Sequence, residues 1–497
     1  IDGVTGKSYT FRQLKDLVYR CGSGLTKAGF HQGDVCVLYL PNLPEFFVAF
    51  YGIASIGGTV SPANPVYTVY ELTTQLKHSG AQWMITTSEL AGKARQAAQR
   101  VSGIKALYVI GDESMEGCRS FVADLMEDDG SAFPINVRIN PAEDVVALPY
   151  SSGTTGLPKG VMLTHRNMVC NLHQMRTPGI LDLSVDDVML CVLPFYHSYG
   201  MVAVLANALS QGAKLVTMPK FEPQHFLQLI EKYKITQGLF VPPIILFLIK
   251  HPMVDQYDLS SLVYILSAAA PLGPEHITEL KKKLKNENLI VRQGYGLTET
   301  STASNICSRY EEFHPGSVGP LLPNTLGKVV DLKTGENLAA GQDGEICLRG
   351  PQIMKGYLNN IQATNMTVKD GWLYTGDIGH YDNDGHFYIV GRLKELIKYK
   401  GFQIAPAELE ALLLTHPQIQ DVAVIGIPDD DAGELPKAFI VPKTDQITVR
   451  EVIKFVEETV SPHKRLRGGV QFVEEVPKSA SGKILRRVLK DAMKNMK

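Results

Sequence analysis

The chain has 497 residues, of which 44% are hydrophobic and 20% charged, and its formal net charge is −2. That length exceeds what one core organises, so two or more domains are expected. The near-neutral charge offers nothing to a nucleic acid or an anionic membrane surface, and no uninterrupted apolar run of about 18 residues is present to span a bilayer.

The first segments alternate between strand and helix. Tyr9 to Phe11 reads as a short strand, Leu14 to Ala28 as an amphipathic helix ending at Gly29, Asp34 to Leu40 as a buried strand, and Glu45 to Ile56 as a helix closed by Gly57-Gly58. The alternation continues to about residue 130, which predicts parallel βαβ units. A second α/β block follows: strands at Val188–Leu193, Lys214–Met218, Gly238–Val241 and Leu262–Ser267, with helices at His197–Ser210, Pro223–Tyr233 and Pro274–Leu284. From Gly316 to Tyr388 turns are dense and strands short (Gly344–Arg349, Trp372–Tyr374, Phe387–Val390), a pattern that suits a small distorted β-barrel. Beyond Arg392 a helix starting at Pro406, a strand over Asp421–Ile427 and a helix over Thr448–Val460 predict a compact α+β tail. The fold class expected is therefore α/β, with a large N-terminal domain over 1–393 and a small, mobile C-terminal domain over 394–497.

The cysteines (Cys21, Cys36, Cys118, Cys170, Cys191, Cys307, Cys347) are odd in number and form no C-x-x-C pair, so they read as reduced, mostly buried thiols. The chain begins at Ile1 without a methionine, so a preceding segment is expected, and Asn495-Met496-Lys497 is not a peroxisomal S-K-L address. With either terminus open to trimming, the expected location is cytoplasmic or peroxisomal.

One stretch carries phosphate-binding chemistry. Tyr150-Ser151-Ser152-Gly153-Thr154-Thr155-Gly156-Leu157-Pro158-Lys159-Gly160 places hydroxyls, glycines and a lysine between two apolar runs. Glycines let backbone N–H groups approach an anion, hydroxyls add short donors, and lysine adds a point charge. The spacing is not that of G-x-x-x-x-G-K-[ST], and a plain Gly/Ser/Thr hairpin stays open as a reading. Four further stretches follow in order: Gln293-Gly294-Tyr295-Gly296-Leu297-Thr298-Glu299, Gly371-Trp372-Leu373-Tyr374-Thr375-Gly376-Asp377, Gly391-Arg392-Leu393-Lys394-Glu395-Leu396-Ile397-Lys398, and Ser479-Ala480-Ser481-Gly482-Lys483. Taken alone, Tyr295 could be a core aromatic, Asp377 a turn former, and Lys483 with Arg486 and Arg487 part of a solvated basic helix.

Together the five stretches resemble the adenylate-forming enzymes: acyl-CoA synthetases, peptide-synthetase adenylation domains and beetle luciferases. Lys398-Tyr399-Lys400-Gly401-Phe402-Gln403 and the Ala405–Glu410 segment are similar to the 4-coumarate–CoA ligase and luciferase branch. The resemblance implies ATP, Mg²⁺ and coenzyme A as cofactor and co-substrates, and a small carboxylic acid as partner. It implies that Ser151, Ser152, Gly153, Thr154, Thr155, Gly156 and Lys159 hold phosphates, and that Tyr295 and Gly296 receive the purine. It further implies that Thr298 contacts the α-phosphate, that Glu299 is the metal ligand, and that Asp377 and Arg392 meet the ribose or phosphate.

By the same resemblance Lys483 is the catalytic lysine of adenylation, Lys398 serves the second half-reaction, and Lys394 is the hinge. The resemblance also implies that His197 gates a substrate pocket lined by Tyr199. Ala268, Ala269, Ala270, Thr302 and Ala303 join it by their position relative to the motifs, and their small size suits an aryl or alkyl acid. No aspartate lies between Pro194 and Met201, which disfavours an amino-acid substrate. Arg176 is left as a rim residue. The expected activity is that of an acid–thiol ligase forming acyl-AMP and then acyl-CoA. Oxygenation of the adenylate, as in a luciferase, and a non-catalytic binding homologue are the alternatives.

Overall fold

In the computed structural model the described residues are 1–111, 115–151, 158–400, 402–429, 431–444, 446–479 and 482–494. Ser152, Gly153, Thr154, Thr155 and Gly156, the centre of the Gly-rich stretch, lie outside them.

The expected opening strand at Tyr9–Phe11 is absent, and the helix Phe11–Lys27 begins there instead. Thr10 forms a capping box with Gln13, satisfying orphan backbone donors at the helix start. The alternation that follows builds a nine-stranded sheet. Its inner strands Thr59–Ala63, Val35–Tyr39, Trp83–Thr87 and Ala106–Ile110 are parallel and almost wholly buried, as near-continuous apolar runs covered on both faces require. At the other edge Lys159–Thr164 turns antiparallel and receives the two-residue strand Gly356–Tyr357.

A six-stranded sheet forms the second block, in the order Lys214–Thr217, Val188–Cys191, Gln237–Phe240, Tyr264–Ser267, Ile290–Tyr295, Asn305–Ile306. All but the last pairing are parallel, so the loops leaving the C-terminal ends of Val188–Cys191, Tyr264–Ser267 and Ile290–Tyr295 gather at one edge. That edge is where open α/β sheets place ligands. The helices Pro223–Tyr233 and Pro274–Leu284 start on proline at the first helical position and follow the predicted spans. The helix Pro242–Lys250 is an addition to those predicted.

Where a small barrel is predicted, the described strands form an open five-stranded antiparallel sheet. Trp372–Tyr381 is ten residues long and shifts register between Ile378 and Gly379. Its first half pairs Val368–Lys369 and its second half Phe387–Arg392, so one strand serves two partners in succession. Asp377 thus sits within a strand, opposite Arg392, and not in a turn.

Beyond the single 3₁₀ turn Leu393–Glu395, another five-stranded sheet is built on the hairpin of Ile419–Asp429 and Gly433–Pro442. Its own core of Ile397, Leu409, Val424, Ile440 and Val452 shares no member with the main core, whose residues run from Leu14 to Leu373. A small cluster of Ile378, Leu396 and Ala405 lies between the two. All seven cysteines are free, four of them buried. Among the described residues no helix is long and apolar enough to cross a membrane.

Candidate active site

A cavity of about 1310 Å³ opens where the two large sheets, the open antiparallel sheet and the C-terminal segment meet. Among the described residues its wall carries Lys159, Lys333, Lys369, Lys394, Lys398 and Lys483 with Arg392, against Glu299, Asp331 and Glu345. An excess of cations around a concave, partly buried space suits a polyanionic ligand.

At one end, Ser151 and Lys159 face each other across a short antiparallel pair. The Ser151 hydroxyl donates to Glu299 Oε1 at 3.0 Å, and the Tyr357 hydroxyl donates to the same oxygen at 2.9 Å. Lys159 Nζ stands 4.8 Å above the Tyr357 ring. Thr298 and Glu299 lie in a buried 3₁₀ turn, not at the start of a longer helix. Burial in that turn fixes a carboxylate, a hydroxyl and an ammonium within one small volume.

Next to it, Tyr295 donates its hydroxyl to Asp377 Oδ2 at 2.6 Å, and Arg392 Nε meets Asp377 Oδ1 at 3.0 Å. Burial pushes the Asp377 carboxyl up and Arg392 pulls it back. Asp377 lies behind the cavity wall, while Tyr295, Gly296 and Arg392 line it. Gly296 is required: a Cβ there would fall within bonding distance of the Thr302 carbonyl oxygen.

The apolar end is formed by Tyr199, Leu266, Ala268, Ala269, Thr302 and Ala303, with His197 at its edge. Ala269 holds φ at +74°, a left-handed conformation that costs an alanine energy. Ala270 is not part of the wall, and neither is the exposed Arg176. The Tyr199 hydroxyl is occupied by the Leu266 carbonyl at 3.1 Å. His197 Nδ1 accepts the Tyr199 backbone N–H at 3.3 Å, which leaves the ring proton on Nε2. Burial, with Lys483 nearby, lowers the His197 pKa to about 4, so the imidazole is neutral at ordinary pH.

From the C-terminal side Lys483 reaches the cavity wall. Burial, reinforced by Arg392 and opposed by Glu395, lowers its pKa to about 8. Lys394 lies in the connecting 3₁₀ turn, exposed at the cavity's edge. Lys398 is exposed at the rim, its backbone N–H donating to Glu434 Oε2 at 2.8 Å. Arg486 is not solvated, as a basic surface helix would make it. It donates through Nη1 to Glu395 at 2.8 Å and through Nη2 alone to both oxygens of Glu410 at 2.6 Å, with 13% side-chain exposure. Arg487, 80% exposed, does fit the solvated reading.

Among the described residues there is no cluster of three or more metal-ligating side chains. That is compatible with Mg²⁺, which commonly takes one or two carboxylates and completes its shell with substrate phosphates and water. Glu299 supplies such a hard oxygen, since Oε2 accepts no hydrogen bond from the described residues while Oε1 accepts two.

Tyr357, Glu395, Lys333 and Lys369 escaped the sequence reading. Only Gly356-Tyr357, an aromatic behind a glycine held at φ +149°, carried a local signal, and Gly-Tyr pairs are too common to single out.

Residues 1–358 match the family model for AMP-binding enzymes, and residues 408–483 match that for the AMP-binding enzyme C-terminal domain. The chain is 46% identical to 4-coumarate–CoA ligase 1 of Petroselinum crispum over 99% of this chain and 90% of that protein. It is 45% identical to 4-coumarate–CoA ligase 1 of Narcissus pseudonarcissus over the same shares. The crystal structure of an anthranilate CoA ligase in complex with anthranoyl-AMP aligns with a TM-score of 0.90 at 27% identity, covering 99% of this chain and 93% of that one. ATP-bound MatB from Rhodopseudomonas palustris aligns with a TM-score of 0.86 at 28% identity, over 97% and 93%. With a family model spanning most of its length and such relatives along nearly all of it, this chain belongs to the AMP-binding enzyme family.

Proposed function

We infer that this protein is an ATP-dependent acid–CoA ligase acting on a small aromatic or aliphatic carboxylic acid. A carboxylate oxygen attacks the α-phosphorus of ATP, pyrophosphate leaves, and the CoA thiol then displaces AMP from the acyl carbon. The observation that carries the reading is that one cavity joins a small-residue apolar pocket at His197 to the cationic wall of Lys159, Arg392 and Lys483.

In this reading His197, being neutral with its proton on Nε2, offers the carboxylate a hydrogen bond without trapping it as an ion pair. The Lys483 ammonium offsets the mutual repulsion of carboxylate and phosphate as they approach. Arg392 and Asp377 are assigned to the ribose and phosphate, Tyr295 and Gly296 to the purine, and Lys159 to the polyphosphate. Glu299 would hold Mg²⁺, which when bound neutralises charge on the phosphates and the leaving pyrophosphate. The domain boundary is assigned to 393/394, with Lys394 as the hinge and Lys398 brought in for the thioester step. The separate cores on either side of Leu393–Glu395 support that division.

The test is incubation with ATP, Mg²⁺ and a panel of aromatic and short, medium and long aliphatic acids, followed by mass spectrometry. Acyl-AMP, converted to acyl-CoA when CoA is added, is expected. No adenylate from any acid would contradict the reading.

A further inference from the structure

Tyr357 stands apart from every stretch that marked the site in the sequence, yet it touches two of them. Its strand, Gly356–Tyr357, is added antiparallel to Lys159–Thr164, with Tyr357 opposite Val161. Three backbone hydrogen bonds tighten this edge: Lys355 N–H to the Met162 carbonyl at 3.0 Å, Leu358 N–H to the Gly160 carbonyl at 2.9 Å, and Met354 N–H to the Glu299 carbonyl at 2.9 Å. The Tyr357 N–H is taken by Thr364 Oγ1 at 2.9 Å. The side chain is therefore aimed by main-chain pairing on one side and by the Glu299 turn on the other.

Its two functional surfaces do different work. The hydroxyl donates to Glu299 Oε1, the oxygen that Ser151 also uses, and among the described residues Oε2 accepts no hydrogen bond. The ring face carries Lys159 Nζ at 4.8 Å, where the ring quadrupole attracts an ammonium. Tyr357 is 6% exposed and lines the cavity.

We propose that Tyr357 is a positioning residue for metal-bound ATP: its hydroxyl orients Glu299 towards the cation and its ring places Lys159 on the polyphosphate, so that the two sites are set as one unit. The proposal rests on the ligase reading, which assigns Glu299 to Mg²⁺ and Lys159 to phosphate. It separates the two contacts, because phenylalanine keeps the ring and removes only the hydroxyl.

The test is calorimetric binding of ATP to the wild type, Tyr357→Phe and Tyr357→Leu, with Mg²⁺ and again with EDTA, alongside thermal melting of each protein. For Tyr357→Phe the gain in ATP affinity produced by Mg²⁺ should shrink about tenfold, the size expected for losing a hydrogen bond to a charged group. Its ATP affinity in EDTA should stay near the wild-type value, and its melting temperature should fall by no more than a few degrees, since the same bond is lost in the free protein. Tyr357→Leu should also weaken ATP binding in EDTA, severalfold, because Lys159 loses the ring. A Tyr357→Phe protein with the wild-type Mg²⁺ gain overturns the proposal, as does one that loses affinity equally with and without Mg²⁺. A wild type that binds no ATP under either condition would instead overturn the ligase reading, so the two failures are distinguishable.

Discussion

Gly482 rests against Pro243: a Cβ on Gly482 would lie 2.9 Å from Pro243 Cδ, and its φ of +78° already favours glycine. Pro243 belongs to the helix Pro242–Lys250 of the large block, and Gly482 immediately precedes Lys483. The same seam is tied by Lys250 Nζ, which donates to the Gln420 carbonyl at 3.0 Å. The depth at which Lys483 enters the cavity is thus set by a glycine packed on a proline.

Gly482→Ala should therefore lift the Lys483 loop and slow acyl-AMP formation by about 10²-fold, the scale of a misplacement of about 1 Å. Conversion of supplied acyl-AMP and CoA to thioester should persist in this variant and in Lys483→Ala. Lys398→Ala should do the reverse. Rapid-quench measurement of the two half-reactions checks this, and equal losses in both would contradict the two-face arrangement.

Lys483 sets an alkaline limit. Its ammonium is the active form, and burial with Arg392 brings its pKa down to about 8, so kcat/KM for adenylation should fall as pH rises through about 8. Bound phosphates favour the proton, so the limb in kcat should lie higher. Lys483→Arg, slower but permanently charged, should lose the alkaline fall. A pH profile of pyrophosphate release for both proteins decides it. The acid limb of His197, near pH 4, lies outside an ordinary assay.

Arg486 holds Glu395, next to the proposed hinge, to Glu410 on the helix Pro406–Leu414, and its Nε donates to the Val424 carbonyl at 3.2 Å. Arg486→Ala leaves two carboxylates without their partner, Glu410 a buried one, and should cost about 3–5 kcal/mol in denaturant unfolding. Arg487→Ala, at an exposed position, should stay within about 0.5 kcal/mol.

What the sequence made legible were elements whose signals are local. Apolar runs such as Val35–Tyr39 gave buried parallel strands, and proline at the first helical position gave the spans of two helices. The strand Gly433–Pro442 was hidden because it opens on Gly-Glu and carries Pro436 and Lys437, which break the alternation. Tyr9–Phe11 misled because β-prone residues flank a threonine whose side chain caps a helix. Lys159, Glu299, Arg392 and Lys483 could be found by motif and meet at one cavity. Tyr357 and the Arg486–Glu395 pair act only through segments far away in the chain, so no local pattern marks them.

The central claim is that the acid is activated at its own carboxylate as acyl-AMP, and an ¹⁸O-labelled carboxylate tests it most directly. The attacking oxygen bridges carbon and phosphorus in the adenylate and leaves with AMP when the thiol displaces it. Mass spectrometry after one turnover with ATP, Mg²⁺ and CoA should find one ¹⁸O in AMP and none in pyrophosphate. Label in pyrophosphate or inorganic phosphate, or ADP in place of AMP, would contradict the account.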